Sequence, residues 1–153
     1  KLTGDAGNNS LWGGVGNDTL VGGGGIDTLD GADGDDYFIS DESVTTQMYG
    51  GDGSDTVDYT LSRLDKQNIS VDLVTGTATS GAILNDSFTG LENFILNSGN
   101  DRFKGSTVAG THSIVEGGFG NDTLAGGVGN DVLYGDKKME PAAQTPPSPT
   151  TTT

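Results

Sequence analysis

No cysteine occurs in the 153 residues, so neither a disulfide frame nor a thiolate metal site can hold this chain together. Large apolar side chains are scarce as well: hydrophobic residues make up 31% and aromatics 7% of the sequence. That is too little for a conventional two-layer core, so the chain is either disordered or braced by something other than a broad core. No apolar run approaches the ~18 residues a membrane-spanning helix needs. Positive charge is nearly missing, with seven Lys and Arg against 22 Asp and Glu. Residues 1–58 alone carry twelve carboxylates and one lysine. Such a surface repels phosphate backbones and anionic membranes, which argues against nucleic acid as a partner and makes cations the natural counterpart.

What the sequence has in quantity is glycine, 27 residues of it, set at a fixed period. Nine-residue blocks run GDAGNNSLW (4–12), GGVGNDTLV (13–21), GGGGIDTLD (22–30) and GADGDDYFI (31–39). GGDGSDTVD (50–58) follows a degenerate interval, and GGFGNDTLA (117–125) and GGVGNDVLY (126–134) lie near the other end. The shared form is GGxGxDxUx, with U apolar. The interval from Ser40 to Tyr49 has ten residues and no glycine. Residues 59–95 lose the period but alternate Ile69, Val71 and Leu73 with polar residues, and offer Phe88, Leu91, Phe94 and Leu96 as core. The organisation read from this is an N-terminal repeat region (1–58), a metal-poor solenoid insert (59–95), a C-terminal repeat region (96–136) and a disordered Pro/Thr-rich linker (137–153). Such a linker implies an adjoining domain. Lys1 opens almost directly into a repeat without a signal-peptide pattern, as a piece of a longer protein would.

Glycines at Gly13, Gly14 and Gly16 permit a tightly curled turn that aims peptide carbonyls inward, and Asp18 adds a carboxylate. Thr19, Leu20 and Val21 then form a strand too short to bury Leu20 alone, so copies must wind into a solenoid with two blocks per coil. Turns one coil apart stack, and each edge becomes a column of aspartates. Like charges at about 4.8 Å repel by about 3 kcal/mol per pair at an effective dielectric near 20. A cation is therefore required, and carboxylates with carbonyl oxygens suit Ca²⁺ better than Zn²⁺, Cu²⁺ or Mg²⁺.

From Gly4 to Asp136 the chain resembles the RTX (hemolysin-type) calcium-binding nonapeptide-repeat family. The resemblance implies an all-β fold, a parallel β-roll or right-handed β-solenoid with Ca²⁺ in the turns. It also implies a ligand scheme in which one turn gives its second- and fourth-place carbonyls and its aspartate, while the turn one coil later gives its first- and third-place carbonyls and its aspartate. Carried onto this sequence, the scheme joins Gly14, Gly16 and Asp18 with Gly31, Asp33 and Asp36. A second set, sharing Asp36, joins Ala32, Gly34 and Asp36 with Gly50, Asp52 and Asp55. A third joins Asn97, Gly99 and Asp101 with Gly117, Phe119 and Asp122. Asp5, Gly7 and Asn9 with Gly22, Gly24 and Asp27 make a weaker set, since Asn9 removes one charge. Gly126, Val128 and Asp131 offer the first, third and sixth places of the last copy. Thr45 and Ser113 stand where aspartates belong, and Lys137 takes the third place of the final turn. About four to six bound ions are expected.

Competing signals are weaker. His112 is the only histidine and assembles no catalytic triad, so the chain reads as non-enzymatic. Trp12, Tyr37 and Tyr134 take seventh or ninth places, which face outward, and the seventh-place threonines at 19, 28, 56 and 123 alternate with other residues rather than forming a flat array. By the resemblance the module is secreted, through the bacterial type I secretion machinery, and folds on extracellular Ca²⁺. An accessory polyuronate-binding module of a polysaccharide-active enzyme, whose basic face would use Arg63, Lys66, Arg102 and Lys104, is the alternative. A segment of a large adhesin is a third reading.

Overall fold

The computed structural model describes residues 1–40, 45–60, 66–81 and 84–136, and the expected Pro/Thr linker lies outside these. Among the described residues every regular element is a β-strand. The first repeats give β1 (Leu2–Thr3), β2 (Ser10–Val15), β3 (Thr19–Val21), β4 (Ile26–Asp33), β5 (Tyr37–Ile39), β6 (Thr45–Asp52) and β7 (Thr56–Asp58). The middle of the chain gives β8 (Ser70–Asp72), β9 (Thr77–Ser80), β10 (Leu84–Thr89) and β11 (Asn93–Ile95). The last repeats give β12 (Arg102–Ser106), β13 (Ile114–Glu116), β14 (Thr123–Gly127) and β15 (Val132–Tyr134).

Through the repeats successive strands alternate between two sheets, as the period requires, and the result is the expected β-solenoid. One sheet runs β1-β3-β5-β7-β11-β13-β15, with every neighbouring pair parallel. The eighth place of each block points inward, so register alone builds a row of apolar side chains: Leu2, Leu20, Phe38, Val57, Phe94, Val115 and Leu133. In the facing sheet Leu11, Leu29, Met48 and Phe88 form the matching row. Leu20, Phe38, Val57, Leu29 and Met48 are almost fully buried, whereas Leu11 and Leu133, in the outermost coils, are only partly covered. The core is thus two residues wide, which is why so little apolar content suffices.

The second sheet, β2-β4-β6-β10-β9-β8-β12-β14, does not consist of stacked coils throughout. Between β10 and β12 it contains β9 and β8, and β9 is antiparallel to both of its neighbours. In the other sheet β11 and β13 are directly paired. The stretch from residue 59 to 95 therefore lays three strands side by side in one sheet and only β11 in the other. The two sheets diverge there by two strand widths, roughly 10 Å at 4.8 Å per strand. Three phenylalanines fill the wedge: the rings of Phe88 and Phe94, and of Phe94 and Phe103, lie 5.3 Å apart in tilted pairs. Leu91, Leu96, Ile69 and Val71 are buried around them, as the apolar pattern of this stretch suggested.

Phe94 touches both other rings and is fully buried, so its replacement leaves a cavity that two rigid sheets cannot close. Phe94→Ala in calcium-saturated protein should lose about 3–5 kcal/mol of stability in urea unfolding. A loss below about 1 kcal/mol would show that the wedge is not held by this cluster.

Candidate metal centre in the stacked turns

Each place in the turn GGxGxD has its own steric reason. The second and fourth places take positive φ: 96° and 104° at Gly14 and Gly16, 111° and 137° at Gly51 and Gly53, 91° and 133° at Gly118 and Gly120. A side chain is strained there. Ala32 nonetheless occupies a second place at φ 75°. The first glycine is needed for a different reason. A Cβ on Gly31 would collide with Asp36 Oδ2 and with the Gly50 carbonyl one coil on. The same pair of oxygens, Asp122 Oδ2 and the Gly135 carbonyl, crowds Gly117. A carboxylate oxygen and the next coil's first-place carbonyl therefore converge over each of these glycines.

Two hydrogen-bond ladders tie successive turns together, and they run in opposite directions. At the sixth place a backbone N–H donates to the aspartate one coil later: Asp18 to Asp36 Oδ1 at 2.7 Å, Asp36 to Asp55 Oδ1 at 2.8 Å, Asp101 to Asp122 Oδ1 at 2.9 Å. At the fifth place the later coil's N–H donates back to an Asn or Asp side chain: Asp35 to Asn17 at 3.1 Å, Ser54 to Asp35 at 2.9 Å, Asn121 to Asn100 at 2.8 Å. The sixth-place ladder engages Oδ1 only. Oδ2 of Asp36, Asp55, Asp101 and Asp122 is buried with no hydrogen-bond partner. Buried carboxylate oxygens with no donor are costly, and here they recur along the columns, those of Asp36, Asp55 and Asp122 beside converging carbonyls.

The carbonyls fit the same pattern. Second- and fourth-place oxygens point at the next coil: those of Ala32 and Gly34 occupy the space a Cβ would need on Gly51 and Gly53, and those of Asn97 and Gly99 the same space on Gly118 and Gly120. Third-place carbonyls of Asp33 and Asp52 accept from Gly16 and Gly34 N–H at 2.7 and 2.8 Å, each keeping a second lone pair. A family model for the RTX calcium-binding nonapeptide repeat matches in four copies, over residues 1–29, 12–42, 47–60 and 112–137, together more than half of the chain. The chain belongs to this calcium-binding repeat family. No curated protein matches it.

Within the RTX repeats, the three sets carrying two aspartates are brought together as stacked turns: 13–18 on 31–36, 31–36 on 50–55, and 96–101 on 117–122. The first turn also stacks, with Asn9 N–H on Asp27 Oδ1 at 2.9 Å, but Asn9 Oδ1 is taken by the Asp5 N–H at 2.9 Å. At the last turn Ser113 N–H donates to Asp131 Oδ1 at 2.9 Å, and the Thr111 hydroxyl caps the Val128 carbonyl at 3.1 Å. That pair offers a single carboxylate. In the degenerate interval Thr46, not Thr45, stands at the aspartate's place, because register pairs it with Asp27. From Thr45 onward the interval is in register with β4. Among the described residues no group of three or more His, Cys, Asp or Glu side chains forms a metal cluster, which fits a site built largely from carbonyls.

Two acidic residues in these columns escape the nonapeptide pattern. Asp86 receives the Thr46 N–H at 2.8 Å on Oδ1 and the Ser40 hydroxyl at 3.3 Å on Oδ2, so both of its oxygens are satisfied. Glu92 receives the Asp55 N–H at 3.0 Å. The signal for both was the surviving triad of acid, polar and aromatic residue, Asp86-Ser87-Phe88 and Glu92-Asn93-Phe94, stripped of most of the glycines that precede it in the repeat. The fifth-place ladder was visible too, in Asn8, Asn17, Asp35, Asn100, Asn121 and Asn130.

Burial pushes the carboxyls of Asp55 and Asp101 up to about 6, with added repulsion from Glu92 and Asp36 in one case and Asp122 in the other. Asp36 is raised for the same reason, burial first and then the charge of Asp18. A carboxyl raised in the fold favours the folded state when protonated, so its contribution is present below the ordinary carboxylate range and lost as pH rises through about 6. Protons compete with calcium for these carboxyls, so the calcium midpoint for folding should rise as pH falls from 7.5 to 5. A calcium midpoint that is flat or falls on acidification would contradict the assignment of these carboxyls.

Proposed function

We propose that this chain is a calcium-responsive structural module of a secreted bacterial protein, which folds when it meets extracellular Ca²⁺. The observation that carries the reading is the set of buried, unanswered Oδ2 atoms on Asp36, Asp55, Asp101 and Asp122, with a carbonyl oxygen of the next turn beside those of Asp36, Asp55 and Asp122. The fit is to a hard cation with six or more oxygen ligands. The holding residues are Gly14, Gly16, Asp18, Gly31, Asp33 and Asp36 in one site, and Ala32, Gly34, Asp36, Gly50, Asp52 and Asp55 in the next. Asn97, Gly99, Asp101, Gly117, Phe119 and Asp122 make the third. The Asn9 turn and the Asp131 turn, each poorer in charge, fill last.

Bound calcium supplies the positive charge that stacked carboxylates need. The chain's own part is to hold Oδ1 of each aspartate against an N–H, so that Oδ2 is fixed in the gap between coils. With so narrow a core, binding energy and folding energy become the same quantity. Low cytoplasmic calcium would then keep the chain unfolded for passage through a type I exporter, and millimolar calcium outside would fold it. Extracellular calcium modules bind with Kd near roughly 10⁻⁴ to 10⁻³ M, the range this requires. The polyuronate-binding alternative is less well served, since Lys104 Nζ is held by Asp72 at 2.9 Å rather than standing free on the sheet face.

Far-UV circular dichroism should show coil in EDTA and β structure in millimolar Ca²⁺, and a spectrum that ignores calcium would sink the proposal. Asp36→Asn keeps the Oδ1 acceptor but removes charge from two sites, and should raise the calcium midpoint about tenfold or more. Asp30→Asn, at an outward ninth place, should leave it unchanged.

A further inference from the structure

We propose that the turns at 50–55 and 89–92 form a further divalent-cation site outside the nonapeptide pattern, with Asp55 and Glu92 as its carboxylates. The inference rests on the reading that the repeat turns hold calcium, and extends it to a turn that the family pattern does not match.

Asp55 is fully buried, and its Oδ2 has no hydrogen-bond partner. It lies over Gly50, where a Cβ would collide with it. The same Cβ would collide with the carbonyl of Gly90. Asp55 Oδ2 and the Gly90 oxygen therefore converge as Asp36 Oδ2 and the Gly50 oxygen do over Gly31. Strand register pairs Thr56 with Asn93, which sets Glu92 one coil beyond Asp55. Glu92 Oε2 accepts the Asp55 N–H at 3.0 Å, just as Asp55 Oδ1 accepts the Asp36 N–H at 2.8 Å. Glu92 thus continues the column Asp18, Asp36, Asp55 as its next member.

The choice of glutamate has a physical reason. Only Gly90 and Leu91 separate Thr89, the ninth-place residue, from Glu92, so this turn is three residues shorter than GGxGxD. A shorter turn reaches less far from the sheet, and the extra methylene of Glu restores the contact that Asp makes elsewhere. The donor set is Asp55 Oδ2, Glu92, and the carbonyls of Gly51, Gly53 and Gly90. All are hard oxygens with two negative charges, which suits Ca²⁺. The lost third-place carbonyl leaves at least one position to water, so this site is weaker than its neighbour at Asp36. Beyond Glu92 the column of carboxylates is interrupted, resuming at Asp131. The next turn presents Ser113, and the divergence of the sheets opens a cleft of about 580 Å³ between Glu92, Val74, Thr75, Thr89, His112 and Ser113.

The test is calcium stoichiometry by equilibrium dialysis and elemental analysis on the full chain at pH 7.5. Glu92→Gln keeps an acceptor for the Asp55 N–H, so it should fold in calcium yet bind one ion fewer than wild type. Equal, non-zero stoichiometry in the two proteins overturns this site and leaves the repeat reading standing. A wild type that binds no calcium overturns both. Should Glu92→Gln fail to fold, Glu92→Asp decides: its shortened reach should weaken the last binding step about tenfold, and an unchanged last step overturns the proposal.

Discussion

The rest of this structure depends on a carboxylate that is only half satisfied. Asp36, Asp55 and Asp122 each take one N–H from the coil before, and that bond fixes both register and the position of the second oxygen. The second oxygen is then buried against a glycine, with a carbonyl from the following coil facing it. Among the described residues no donor answers it. Repeated coil after coil, this arrangement is a column of negative charge that burial makes worse, which is why Asp55 and Asp101 resist ionisation. A fold with a core two residues wide has little hydrophobic energy to set against that repulsion. In the proposed reading, calcium is the element that completes the fold.

Glycine's several roles follow from the same constraint. The first place must lack a Cβ because two oxygens occupy its space, and the second and fourth must reach positive φ to turn their carbonyls toward the next coil. The motif looks like one signal and is three. The fifth-place Asn or Asp adds a ladder of opposite direction, so neighbouring turns are clamped from both sides and the gap between them is held at a fixed width.

Where the period was intact, the sequence was legible in detail: the eighth-place residues form the core rows, and turns eighteen or nineteen residues apart stack as their spacing implies. Legibility failed where length changed. The ten-residue interval placed Thr46 rather than Thr45 in the column, because spacing alone cannot say where an extra residue is absorbed. Residues 59–95 advertised strands and core, and Phe88, Leu91, Phe94 and Leu96 are buried as expected. Their antiparallel pairing was hidden, since alternation is the same in a hairpin as in a coil. Asp86 and Glu92 were hidden because the sequence before each lost most of the glycines that mark the repeat, although the fold returned both side chains to the columns. They show that column membership is set by strand register, with the motif as its usual but not its necessary sign.

The central claim is that the gaps between stacked turns are cation positions. The most direct measurement is an anomalous difference map from crystals grown with Ca²⁺, recorded at a wavelength where calcium scatters anomalously. The account expects peaks between turns 13–18 and 31–36, between 31–36 and 50–55, and between 96–101 and 117–122, each contacted by Oδ2 of the stacked aspartates. A fully ordered β-roll grown in calcium with no peak in any of these gaps would contradict it.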